Sequence, residues 1–249
     1  VSSAAARALG SQPLKPEKSF IYSFGATANP FRGFNLTADY YHIKIDDRVV
    51  LTENLGAAGS GTAAVNAAVK SVLDANGFQS VGAARFFING LDTTTKGFDI
   101  VGTYRFGIEG VGNWSLSAAY NHNDNSIDRR INALGPLAQI PNLILFGRVE
   151  GIRFTDGQPK DKLVLSADGS VGPIAISART TRYGRVTAPG SAAPVANALS
   201  LTDRGPDDLI LRPKFVSDLE LRYTFKEHAT FAIGANNLFD VYPEAFPRG

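Results

Sequence analysis

Three histidines, His42, His122 and His228, are the only imidazoles in the chain. Asp46 and Asp47 follow the first and Asp124 the second. Imidazole with carboxylate suits several metals, but this spacing is that of no compact metal motif. Solvated groups at strand ends are the expected role, and no metal site is predicted. The absence of Cys excludes a disulfide framework, a thiolate metal site and a cysteine nucleophile. No Ser–His–Asp set can be ordered along the chain, and no carboxylate pair is placed for acid–base work. In "GAAGSGTAAVNAAVK", Gly56 and Gly61 have the spacing of a phosphate-binding loop, yet Thr62 stands where that loop requires Lys. No enzyme activity and no cofactor are therefore expected. Four arginines carry the remaining chemistry: Arg129, Arg130, Arg148 and Arg204. Guanidinium groups read carboxylate and sugar-acid groups well. All four fall in long connections rather than in strand-like runs, and they are the predicted substrate-binding residues.

The elements that would hold those connections are eight runs of period-two alternation. They cover about 18–29, 33–45, 93–106, 113–123, 161–169, 173–186, 218–225 and 229–236. In the third, Phe98, Ile100, Gly102, Tyr104 and Phe106 oppose Asp99, Val101, Thr103 and Arg105. In the seventh, Leu219, Leu221, Tyr223 and Phe225 oppose Asp218, Glu220, Arg222 and Thr224. Each run thus has one apolar and one wet face. Whether the apolar face meets a protein core or lipid is the question the pattern leaves open.

The connections answer it. "NPFRG", "GIEGVG", "DGSVG" and "KEH" are short hairpin turns. They alternate with long segments at about 46–92, 124–160 and 187–213. Short turns at one end and long loops at the other are the layout of an outer-membrane β-barrel. Asp39, Asp99, Arg105, Glu220 and Arg222 on the wet face suit a lumen and would be costly in a dry core. Aromatics near the strand ends, among them Trp114, Phe106, Tyr120 and Tyr223, suit an interfacial girdle. The expected fold is all-β: an antiparallel up-and-down meander of about eight strands within a larger transmembrane barrel. Two short helices are expected in the long loops. One carries Val65, Ala68, Val69, Val72 and Leu73 ahead of Gly77, and the other covers 141–154 with Pro141 in its first turn. A net charge of +2 with both signs scattered gives no basic stripe for nucleic acid. No apolar run approaches the roughly 20 residues of a membrane helix.

Three stretches carry a family resemblance. "LKPEKSFIYSFGATANPFRGFNLTADYYHIKIDDRV", "FFINGLDTTTKGFDIVGTYRF" and "FAIGANNLFDVYP" occur in this order over most of residues 14–243. They resemble the barrel region of TonB-dependent outer-membrane receptors. The resemblance implies energy-coupled uptake of a scarce solute across the outer membrane of a Gram-negative bacterium, the solute being siderophore-iron, cobalamin or an oligosaccharide. It implies outer-membrane lipid, the solute and the TonB–ExbB–ExbD complex as partners, the last through a plug domain. Such barrels have about 22 strands. Residues 1–249 are accordingly read as one partial barrel domain, truncated at both ends, without plug, TonB box or closing strand. Two other readings stay open at this stage. One is a complete eight-stranded barrel with a structural or adhesive role, and the other is a soluble carbohydrate-binding β-sandwich.

Overall fold

A computed structural model describes residues 3–59, 61–132, 134–190, 205–226 and 228–245. Eight strands form one antiparallel sheet in which spatial neighbours are also sequence neighbours. They are β1 (Lys18–Ala28), β2 (Phe34–Leu51), β3 (Phe87–Ile108), β4 (Gly112–Arg130), β5 (Asp161–Val171), β6 (Ile174–Tyr183), β7 (Lys214–Phe225) and β8 (Ala229–Ala235). Short turns join β1 to β2, β3 to β4, β5 to β6 and β7 to β8, as expected. The first turn needs Gly33, which sits at φ 86°. Its carbonyl accepts a 2.8 Å bond from the Arg105 amide, and a Cβ there would collide with the Arg105 carbonyl oxygen.

The pairing registers carry sequence parity unbroken across the sheet. One row reads Phe24, Tyr40, Phe98, His122 and Asp161, and another Leu36, Gly102, Ala118 and Leu165. The opposite face holds Gly25, Asp39, Asp99, Asn121 and Lys162 in one row, and Arg105, Ser115, Asp168, Ser177 and Glu220 in another. Among the described residues no second sheet covers the apolar face. Phe20, Phe24, Phe231 and Ile233 are exposed by 66%, 68%, 66% and 75%. That disposes of the sandwich reading, which requires these rows to be dry. The two outer strands of the sheet, β1 and β8, do not pair with each other, so the closed eight-stranded barrel is not formed either.

A compact cap sits at the loop end of the sheet. Helix α2 (Ala63–Ala75) buries Val65, Val69 and Leu73, the stripe anticipated from its 3.6-residue period. Thr62 caps it by accepting from the Val65 amide, and Gly77 follows its end at φ 85°. Around it gather Ala5, Ala6 and Leu9 of α1 (Ala4–Ala8) and just beyond, with Leu137, Leu143 and Leu145 from the 131–147 connection. Phe86, Ile88 and Val50 join this cluster from the ends of β2 and β3. Thr52, fully buried, stitches the seam: its hydroxyl accepts from the Phe86 amide and donates to the Glu53 carbonyl.

Three expectations are corrected here. Strands β2, β3 and β4 run well past 45, before 93 and past 123, because the extra residues pair with one another above the alternating region. Arg129 and Arg130 therefore stand at the end of β4, not in a loop. The second loop helix is α3 (Arg148–Asp156), which starts later than Pro141. Residues 141–147 run through turns and bends instead, with Asn142 at φ 58°, and bury Leu143, Leu145 and Phe146 as single anchors. Helix α1 was not expected.

Candidate functional site

The polar face of the sheet is wired by short cross-strand bonds. Asn121 donates to Asp99 at 2.7 Å, and the Ser117 and Ser166 hydroxyls meet at 2.7 Å. Arg179 grips one Asp218 oxygen through Nε and Nη2, at 3.0 and 2.7 Å. Ser177 donates to Asp168, and Arg222 pairs with Glu220. Near the turn end this face hollows into a concavity of about 1000 Å³ lined by Arg32, Arg105, Ser115, Asp168, Ser177 and Arg222. A second hollow of about 550 Å³ adjoins it, lined by Arg179, Asp218 and Glu220. Hydroxyls and paired charges of both signs make a surface that stays hydrated and can pass polar solutes. Arg105, Glu220 and Arg222 were legible as wet-face charges. The Asp168–Ser177 and Arg179–Asp218 partnerships follow from the register, which parity alone does not give.

Of the four sequence-predicted arginines, the three among the described residues, Arg129, Arg130 and Arg148, do not converge. Arg129 pairs with Asp92 and lies 3.3 Å from Asp47, whose amide in turn bonds Asp92 at 3.0 Å. It is half-exposed at the rim. Arg130 donates to the Phe146 carbonyl at 3.0 Å and ties β4 to the cap. Arg148 is buried against Asp208 at 2.7 Å and also donates to the Gly190 carbonyl at 3.1 Å. Burial alone would raise the Asp208 pKa. The Arg148 bond and the amides of Gly205 and Gly190 outweigh it and hold the carboxyl below its ordinary value. Arg204 lies outside the described residues.

The histidines also stay apart. His42 stacks on Tyr22 with centroids 4.8 Å apart. His122 bonds Asp161 at 2.8 Å and stacks on Phe98. Both project from the apolar face. His228 occupies the β7–β8 turn. Among the described residues no group of three or more His, Asp or Glu could hold a metal ion. The "NNLFD" stretch is structural in its contacts. Asn237 exchanges two bonds with Val241, and its amide bonds Asp218 at 2.9 Å.

The apolar face completes the geometry. Aromatics form two belts on it: Tyr22, Tyr40, Phe98 and Tyr120 towards the loops, and Phe34, Tyr104, Phe106 and Trp114 towards the turns. Along β3 the residues between Phe98 and Phe106 span roughly 26 Å of strand, or about 20 Å of height at a typical barrel tilt. No charged side chain interrupts the rows between the belts on β2, β3 and β4. A sheet of this kind is a section of a membrane-barrel wall. The family described as "TonB dependent receptor-like, beta-barrel" matches residues 1–238. The chain belongs to this TonB-dependent receptor family. Its members are receptors and transporters of the Gram-negative outer membrane rather than enzymes. No curated protein sequence matches the chain.

Solved receptors share the fold at low identity. The FrpB iron transporter from Neisseria meningitidis is 15% identical with a TM-score of 0.56, over 96% of this chain and 28% of that one. The outer membrane transporter YddB from Escherichia coli is 12% identical with a TM-score of 0.59, over 92% and 30%. The ferripyoverdine receptor of the outer membrane of Pseudomonas aeruginosa is 15% identical with a TM-score of 0.52, over 93% and 24%. The TonB-dependent receptor barrel described here thus spans about a quarter of the length of these structures.

Proposed function

We propose that this chain supplies part of the wall and the extracellular rim of an outer-membrane receptor for a scarce solute, with uptake driven through the TonB–ExbB–ExbD complex. The observation that carries the reading is the division of one sheet, between its aromatic belts, into an apolar face and a hydrated face, in a chain of this family. The short turns face the periplasm and the cap faces outward, following the general sidedness of such barrels. The solute travels along the hydroxyl- and charge-lined face. Among siderophore-iron, cobalamin and oligosaccharide, a ferric siderophore is favoured, because the iron transporter FrpB and the ferripyoverdine receptor share the fold. Among the predicted arginines Arg129, at the rim, is the solute contact we favour. Arg130 and Arg148 hold the cap in place.

The test is uptake of radiolabelled ferric siderophores by iron-starved cells carrying the full-length receptor. Uptake is expected to vanish when TonB is deleted and to resume when it is restored. TonB-independent uptake at the same rate would overturn the energy coupling. Uptake of cobalamin or an oligosaccharide in place of ferric siderophores would overturn the choice of solute.

A further inference from the structure

We infer that the hydrated face, just under the cap, carries a sugar subsite in which Tyr41 stacks on one pyranose ring and Asp39, Asp99 and nearby asparagines take its hydroxyls. The inference rests on the reading of this face as the solute path. It names which part of the solute this stretch of wall reads.

Tyr41 is laid along the wall by the glycine beside it. The registers set Tyr41 opposite Gly97, and Gly97 opposite Asn123. The Tyr41 hydroxyl crosses β3 and donates to Asn123 Oδ1 at 3.3 Å. A Cβ at Gly97 would collide with the end of the Tyr41 ring, so the missing side chain is what lets the ring lie there. One side of the ring rests on the buried Gly97, and the other is left to the lumen.

The groups around the ring suit a neutral, hydroxyl-rich ligand. One row towards the turns, Asp99 accepts a 2.7 Å bond from Asn121 through one oxygen. Its other oxygen, and the whole carboxylate of exposed Asp39 opposite it, have no partner among the described residues. One row towards the loops, the Asn125 oxygen accepts from Thr95 at 2.7 Å, which leaves its amide hydrogens to a ligand. From Tyr41 upwards, β2, β3 and β4 present three rows without a charge on this face, the last being Ile45, Thr93 and Ile127. Helix α3 roofs that last row: Arg48 donates to Thr93 at 3.3 Å and stands 4.8 Å from the centre of the Phe154 ring. Along the strand, ring and roof are about 13 Å apart, room for one or two sugar units.

Chemistry selects the sugar. The negative face of an aromatic ring attracts the weakly positive C–H face of a pyranose. Hydroxyls on the sugar's edge donate to carboxylates in charge-assisted bonds. An anion would meet Asp39 and Asp99 here, with the nearest cation of their row, Lys162, two strands past Asp99. An apolar ligand would dry the carboxylates and amides without replacing their hydrogen bonds. The sugar is either a glycosyl group on a ferric siderophore or a free oligosaccharide, and the test separates the two.

Equilibrium binding to the purified full-length receptor takes three probes: a glucosylated ferric trihydroxamate, its sugar-free parent and a neutral glucose hexasaccharide. The glucosylated chelate is expected to bind more tightly than its parent. Tyr41→Leu should cut that preference about 10-fold, and Asp99→Ala should cut it by roughly as much. Tyr41→Phe keeps the ring and should keep most of the preference. The parent chelate should bind equally to all of them. Hexasaccharide binding with the same dependence on Tyr41 would uphold the subsite and make a free glycan its source. If Tyr41 were only a joint in the wall, its loss would lower the unfolding temperature and leave sugar preference unmoved. That result, or the absence of any sugar-dependent binding, would overturn the subsite. A nitroxide on Ser117→Cys, on the same face, keeps the two readings apart. If lipid-soluble quencher does not reach it and sugar-dependent binding is absent, only the subsite fails; if the quencher reaches it, the solute-path reading fails as well.

Discussion

Leu73 in the cap is fully buried, whereas Ile233 in β8 is 75% exposed, and both are aliphatic residues on the apolar stripe of their element. The cap hides its leucines from every solvent, as water-soluble domains do. The sheet hides almost nothing: between the aromatic belts on β2, β3 and β4 its apolar rows are left open, and the charges at that height lie on the other face. The contrast shows which solvent each region was built for. Dry packing stabilises the cap, while the wall draws its burial from hydrocarbon. The two regions should accordingly fail under different substitutions.

The largest effect is expected in the cap. Asp208→Ala removes the carboxylate opposite the buried Arg148 guanidinium, at a cost of about 3–5 kcal/mol. Hydrogen exchange in α3 should accelerate while the strands keep their protection. The same pair makes the cap acid-sensitive. The folded-state pKa of Asp208 is depressed, so its contribution is present above the ordinary carboxylate range and is lost as pH falls through the depressed value. Loosening of α3 on acidification that persists unchanged in the Asp208→Asn variant would rule Asp208 out as the cause.

An intermediate effect sharpens the contrast within the wall. Ile100 and Val101 are neighbours in β3 with nearly equal exposure, 39% and 38%, on opposite faces. In a bilayer Ile100→Lys should cost about 2 kcal/mol, while Val101→Lys, beside Asp99 on the wet face, should cost little. Folding titrations in lipid vesicles measure both. Equal costs would mean that the two faces meet the same solvent. The smallest effect is Thr62→Ala, which removes the cap of α2 and should cost about 1 kcal/mol, seen as faster exchange in its first turn with the sheet unaffected.

How much of this was readable beforehand follows the same division. The faces of the wall were legible because a strand repeats every two residues and lipid leaves one side uniformly apolar. Helix α2 was legible through Val65, Val69 and Leu73. The outer ends of β2, β3 and β4 were not, since alternation lapses where Ile88 and Leu91, of opposite parity, are both buried and a bulge at Asp47 shifts the register. Arg148 reads as a free loop cation until Asp208, 60 residues away, is found beside it. The start of α3 was misjudged because an apolar run such as "LILF" fits a helix or a set of irregular-loop anchors equally well.

Thr52 and its neighbours give the mouth of this wall a mechanical character. Glu53 bonds the Leu145 carbonyl through its amide and the Gly147 amide through its carboxylate, at 2.9 and 3.2 Å, while Arg85 donates to the Thr52 carbonyl. Three sequence-distant segments, 52–53, 85–86 and 145–147, are thereby riveted at one spot. Such a joint transmits displacement instead of absorbing it, so any dilation of the opening on this side has to carry β2, β3 and the cap as one stiff panel.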